Sequence, residues 1–209
     1  MENISDFFSL LLDSQKLIHY GGLILLLIII FIETGFIFGF FFPGDTLLFT
    51  AGILCGTNDL DINIFLLLFS VTGAAILGNL VGYVSGKYFG KKLFAKENSF
   101  FFKKRHLATT KLYYEKYGGV SIIAGRFLPV VRTFVPILAG TIDMNFLKFK
   151  LYNIAGAFLW VWTLIPIGYF LGNSFPQLIH QLEYFIIAIF LITTFFLIHG
   201  YLKIKKQQS

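Results

Sequence analysis

The sequence predicts an all-α polytopic membrane protein: an inverted repeat of two re-entrant broken-helix segments, each followed by a transmembrane helix, plus a C-terminal transmembrane helix and an N-terminal amphipathic helix. Three observations lead there. The chain of 209 residues is 56% hydrophobic and 19% aromatic, with a mean hydropathy of +0.77, well outside the composition of a soluble domain. Some of its apolar stretches have the length of one spanning helix, whereas others are broken by glycine and proline. The broken stretches are also the ones that carry buried-type charges, Glu33 and Asp45 in the first and Arg126 and Arg132 in the second.

Residues 1–20 open acidic and mix Phe7, Phe8, Leu10, Leu11, Leu12, Leu17 and Ile18 with polar residues, the pattern of a helix lying in the membrane interface. That start lacks the basic end and small-residue site of a cleaved leader, so no cleavage is expected. Residues 21–56 would be about 54 Å long as one helix, against a hydrocarbon core of about 30 Å, and so must break or fold back. Gly35, Gly39, Pro43 and Gly44 supply the break. Residues 62–86 and 151–172 each read as a clean span of about 20 residues, as do residues 184–202. Between them, residues 118–142 are apolar but interrupted by Pro129 and Pro136. Each broken segment ends in Ala-Gly, at Ala51-Gly52 and Ala139-Gly140, and each is followed by a span. This parallel is what suggests the repeat.

Orientation follows from charge. Nine of the 17 Lys and Arg residues lie between Lys87 and Lys116, and Lys203, Lys205 and Lys206 sit in the tail. The positive-inside rule places residues 87–117 and the C-terminus in the cytoplasm. The net charge of +6 is therefore a topology signal rather than a nucleic-acid footprint, although anionic headgroups would also attract the loop. With residues 87–117 inside, the second broken segment both enters and leaves from the cytoplasmic side. The first does so from outside if it is re-entrant.

Four ionisable groups at membrane depth, each costing about 2.5–3.5 kcal/mol if unpaired, would sum to about 10–14 kcal/mol. Pairing, a polar cavity or a ligand must offset this. Arginine is always charged, and its forked donors match two phosphate oxygens, so Arg126 and Arg132 are candidate ligands for a lipid phosphate. Their six-residue spacing across Pro129 rules out one helical face, and any convergence must come from the broken backbone. Glu33 and Asp45 are candidate proton-exchanging or ion-pairing groups that compete with phosphate for the arginines. The bland alternative is a set of structural ion pairs. Asn79 and Asn153, in the two spans, suit interhelical hydrogen bonding and could also reach a substrate. Gly73, Gly78, Gly82 and Gly86 suit close helix packing. Trp160, Trp162 and Tyr169 read as packing or belt aromatics.

The single Cys55 excludes an internal disulfide, and His19, His106, His180 and His199 are scattered without metal spacing, so no cofactor or metal is expected. An enzyme is not expected either, since HExxH, GxSxG and His-rich phosphatase patterns are missing.

Glu33 followed by Pro43-Gly44-Asp45 and Ala51-Gly52, GNLVGYVSGKYFG at Gly78–Gly90, and GRFLPVVRTFVPILAGTIDMNFLKFKLYNIAGAFLW at Gly125–Trp160 resemble the DedA family, the bacterial branch of the VTT-domain membrane proteins. The resemblance covers about residues 25–172. It implies a plasma-membrane transporter or flippase for a phosphate-bearing lipid, undecaprenyl phosphate first, driven by the proton motive force. Phosphatidylethanolamine movement or lipid scrambling is the alternative within the family, and a non-transporting membrane organiser is the alternative outside it. The resemblance also implies that Glu33, Asp45, Arg126 and Arg132 are required, with Pro43, Gly44 and Pro129 supporting them. At the Pro-Gly-acid position the family often has Glu, and Asp45 keeps the carboxylate with a shorter reach. The expected partners are an anionic lipid, protons and the membrane. Oligomeric state is left open.

Overall fold

A computed structural model describes residues 14–42, 44–95, 119–127 and 129–175. Among these residues the chain is entirely helical: α1 (Ser14–Gly35), a short 3-10 turn (Ile37–Phe41), α2 (Gly44–Gly56), α3 (Ile64–Ala95), α4 (Val120–Gly125), α5 (Pro129–Thr141) and α6 (Phe146–Ser174). The first thirteen residues, Pro43, residues 96–118 of the basic loop and the expected span at 184–202 lie outside the described residues.

Both breaks fall where the backbone chemistry demands them. After Gly35 the chain turns extended at Phe36 (φ −123°, ψ 147°), makes one 3-10 turn, and is extended again at Phe42. A residue preceding proline is biased toward that extended region, and Phe42 precedes Pro43. Helix α2 then starts at Gly44. In the second half α4 ends at Gly125, and α5 starts with Pro129 as its first helical residue, where a missing N–H costs nothing. Within α1 the backbone kinks at Gly22 (φ 55°, ψ −151°), a conformation only glycine adopts freely, at the boundary expected between the amphipathic start and the first apolar segment.

The two long helices, α3 and α6, are long and apolar enough to cross a membrane. Helix α6 exceeds its expected span at both ends, beginning at Phe146, capped by Asn145, and ending at Ser174. Helix α3 starts at Ile64, inside the expected span, and exceeds it only at the far end, running on to Ala95. The lysines after Gly86 end the apolar window without ending the helix, because Lys is a good helix former. By contrast α2 and α5 have 13 residues each, about 20 Å at 1.5 Å per residue, and nearly every residue of α2 is buried. Short helices at membrane depth are tolerated when protein surrounds them.

The packing is swapped between halves. Helix α2 packs most extensively on α6, and α5 on α3, so the second helix of each broken pair lies on the long helix of the other half. Glycines permit this. A Cβ on Gly52 or Gly56 would meet the carbonyls of Ile165 or Tyr169, and one on Gly168 or Gly172 would meet those of Phe49 or Ile53. On the other side, Gly86 abuts the Ile137 carbonyl and Gly140 the Tyr83 carbonyl. Close small-residue contact of this kind drives helix association where lipid removes the hydrophobic drive. Gly78 and Gly82 likewise pack closely, against Thr34 and Pro136, but a Cβ on Gly73 would meet nothing within 4 Å. Gly73 therefore does not belong to the packing set expected from its spacing. The main apolar core joins Leu26, Ile30, Leu47, Leu67, Val71 and Ile165, from α1, α2, α3 and α6. Large apolar side chains such as Ile24, Phe38, Phe65, Leu77, Leu151 and Phe170 point outward, the arrangement of a protein solvated by lipid.

Candidate functional site

Both breaks bring their charged residues to the middle of this packing. Glu33 is the antepenultimate residue of α1, Asp45 lies in the first turn of α2, Arg126 follows α4, and Arg132 lies in the first turn of α5. Glu33 is fully buried, and Arg126 and Arg132 are each 2% exposed. Asp45 is the accessible member, its side chain 17% exposed.

Arg132 joins the two acids. Its Nη2 donates to Glu33 Oε1, and its Nη1 donates to Asp45 Oδ1 at 2.8 Å. The fork is thus divided between two carboxylates from two helices of the other half. Gly44 makes this possible, because any Cβ there would strike the Glu33 carboxylate. It also sets the N-terminal end of α2, with its positive helix-dipole end, beside that carboxylate. Gly39 is equally confined, against the backbone of Ile32 and Glu33. Of the supporting residues, Gly44 and Pro129 hold the positions just given, and Pro43 is outside the described residues.

Arg126 has different partners. Its Nη1 donates to the Asn153 carbonyl (3.0 Å) and side-chain Oδ1 (2.9 Å), and its Nη2 to the Ala75 carbonyl (3.1 Å). One guanidinium therefore ties α3 to α6. Asn153 Nδ2 donates to the Ile76 carbonyl at 3.1 Å, and Asn79 Nδ2 donates to Asn153 Oδ1 at 2.9 Å. With its amide turned over, Asn79 instead donates to the Thr34 carbonyl (3.0 Å) and accepts from Arg126 Nη1 (3.1 Å). In either orientation the two asparagines join the long helices, as their positions suggested, and connect them to Arg126.

Trp160 is a packing aromatic of the main core, as its sequence position suggests, but it also carries polar contacts that the sequence did not show. Its indole Nε1 donates to Asp45 Oδ1 at 2.7 Å. The Arg132 guanidinium carbon lies 4.4 Å from the centroid of its ring and that of Arg126 5.7 Å, both within cation–π range. The available signal was spacing: Trp160 follows Asn153 by seven residues, two helical turns, and so shares its face of α6. Trp162 does pack, stacking on Phe158 with ring centroids 4.3 Å apart, and Tyr169 lies against the main core.

The formal charges of Glu33, Asp45, Arg126 and Arg132 cancel. Even so, Glu33 Oε2 and the Nε atoms of both arginines have no partner of hydrogen-bond geometry among the described residues. A buried site that retains unused donors and an unused acceptor is chemically equipped to take a further polar group. Among the described residues, no group of three or more His, Cys, Asp or Glu side chains is placed to hold a metal.

Fold and site together define a helical membrane protein with a charged centre enclosed between two broken-helix pairs. Residues 42–170 match the VTT domain. The chain is 41% identical over 169 residues to "Protein DedA" of Escherichia coli K12, covering 81% of this chain and 77% of that protein. It is also 41% identical over 167 residues to an uncharacterized membrane protein of Mycobacterium leprae, covering 80% and 73% of the two chains. Against "Inner membrane protein YqjA" of E. coli K12 the identity is 31% over 149 residues, covering 71% and 67%. The chain belongs to the DedA family of VTT-domain membrane proteins. No solved structure matches it.

Proposed function

We propose that this protein moves a phosphate-bearing lipid across the inner membrane without an enzymatic step, with undecaprenyl phosphate as the first substrate and the proton motive force as the drive. The observation that carries the reading is the division of Arg132 between Glu33 and Asp45, in a buried centre shared by both halves. An anion enters such a centre by taking an arginine from a carboxylate, and protonation of a carboxylate releases the arginine. A proton and a phosphate are thus coupled through one guanidinium. The competition falls on Arg132. Arg126, bonded to carbonyls and Asn153, contributes fixed positive charge.

In this reading the α1/α2 and α4/α5 pairs are re-entrant halves of an inverted repeat, the first entering from outside and the second from the cytoplasm. The shortness of α2 and α5 and their swapped packing support it. Residues 87–117 and the C-terminus are cytoplasmic by the positive-inside rule. The name of the E. coli relative YqjA places that protein in the inner membrane, and the same location is proposed here.

One observation favours a second reading, a membrane organiser whose charges are structural. Among the described residues Arg126 bonds to main-chain and amide oxygens that tie α3 to α6, and to no carboxylate. The test is movement of labelled undecaprenyl phosphate in proteoliposomes, comparing the native chain with Arg132→Gln. Movement lost in the variant supports transport. No movement by a folded native chain, for this lipid or for phosphatidylethanolamine, leaves the organiser.

A further inference from the structure

Asp45 Oδ1 occupies a position defined by two donors from different helices: Arg132 Nη1 at 2.8 Å and Trp160 Nε1 at 2.7 Å. Both donors are held independently of Asp45. Arg132 is also bonded to Glu33 and lies on the Trp160 ring, and Trp160 is 1% exposed within the packed core of α6. Asp45 is the member of the site that reaches the surface, whereas Glu33 is fully buried. An incoming group therefore meets Asp45 first, and displacing it would uncover a charged and a neutral donor converging on one point.

Resting on the transport reading above, we propose that this point is an oxyanion subsite and that Trp160 is a substrate-binding residue. One phosphate oxygen of the lipid headgroup replaces Asp45 Oδ1 and accepts from both the Trp160 indole N–H and Arg132 Nη1. The exchange substitutes one anionic group for another, so Arg132 keeps an anionic partner beside Glu33 throughout. No donor has to be repositioned, because Glu33 and the packed core already hold the pair in the geometry an oxyanion requires. The neutral N–H also adds discrimination. It rewards a compact oxyanion aimed at that point, while a site made of guanidinium charge alone would accept any anion. The residue facing these two donors is then a competitor of the substrate rather than its ligand.

The experiment is calorimetric titration of the full-length protein in maltoside micelles with dodecyl phosphate, a single-chain phosphate monoester. Dodecyl trimethylammonium serves as a cationic control. Trp160→Phe keeps the ring under both guanidiniums and removes only the N–H. A hydrogen bond to a charged group is worth a factor of about ten or more in affinity, so the variant is expected to bind dodecyl phosphate at least about tenfold more weakly. Trp160→Leu, which also loses the ring, is expected to bind more weakly still. Asp45→Asn removes the competing charge and is expected to bind more tightly than the native chain, a gain that a purely structural role for these groups would not produce.

Unchanged affinity in Trp160→Phe overturns the subsite while leaving the transport reading intact. Weaker binding in Asp45→Asn also overturns it, and this arm decides the matter if Trp160→Phe does not fold. A folded native chain that does not bind dodecyl phosphate overturns the subsite and the phosphate reading together.

Discussion

Arg132 and Glu33 are paired across 99 positions of sequence, both buried, one from the first turn of α5 and the other from the end of α1. The pair ties the second broken segment to the first at the centre of the fold. Breaking it from one side leaves an uncompensated buried charge.

Arg132→Met is accordingly expected to destabilise the protein by about 3–5 kcal/mol, because it strands Glu33 and Asp45 together. Adding Glu33→Gln to that background should recover part of the loss. Thermal unfolding in detergent of the two single variants and the double variant measures this. Strictly additive losses would contradict direct coupling of the two residues.

Arg126 makes three bonds to oxygens on two helices. A lysine in its place supplies one compact head group that does not span Ala75 and Asn153 together. Arg126→Lys should therefore cost about 1–3 kcal/mol for each buried acceptor left unsatisfied, even with the charge kept. Asn153→Ala should be destabilising as well, and the two should be non-additive by about 0.5–3 kcal/mol in a double-mutant cycle on unfolding midpoints.

The glycines separate into two classes that a single substitution distinguishes. Alanine at Gly73, with nothing within 4 Å, should leave the unfolding midpoint unchanged or slightly raised. Alanine at Gly86 or Gly140 drives a methyl group into the backbone of the neighbouring helix and should destabilise by about 1–3 kcal/mol. Equal midpoints for all three variants would contradict the close α3/α5 contact.

Much of this was legible in the sequence, for specific reasons. Charges in apolar stretches stand out because membrane burial makes them costly, and this marked Glu33, Asp45, Arg126 and Arg132. Proline and glycine constrain the backbone locally, and the breaks around Gly35–Gly44 and at Pro129 fell where those residues stand, whereas Pro136, expected to interrupt the same segment, lies inside α5 without ending it. The partners of Arg126 were not legible, because the carbonyls of Ala75 and Asn153 carry no side-chain signature. The polar contacts of Trp160 were missed for a related reason: an indole in an apolar helix looks like packing alone until a carboxylate is seen at its N–H. The pairing of α2 with α6 and α5 with α3 is tertiary information, and the helix glycines suggested close contacts without saying with which helix.

The most direct measurement of the central claim is movement of undecaprenyl phosphate in proteoliposomes with and without an imposed proton gradient, comparing the native chain with Glu33→Gln. The expected result is gradient-dependent movement by the native chain and loss of that dependence in the variant, which can no longer take up a proton beside Arg132. Gradient-dependent movement retained in Glu33→Gln would contradict the coupling of proton and phosphate through this pair.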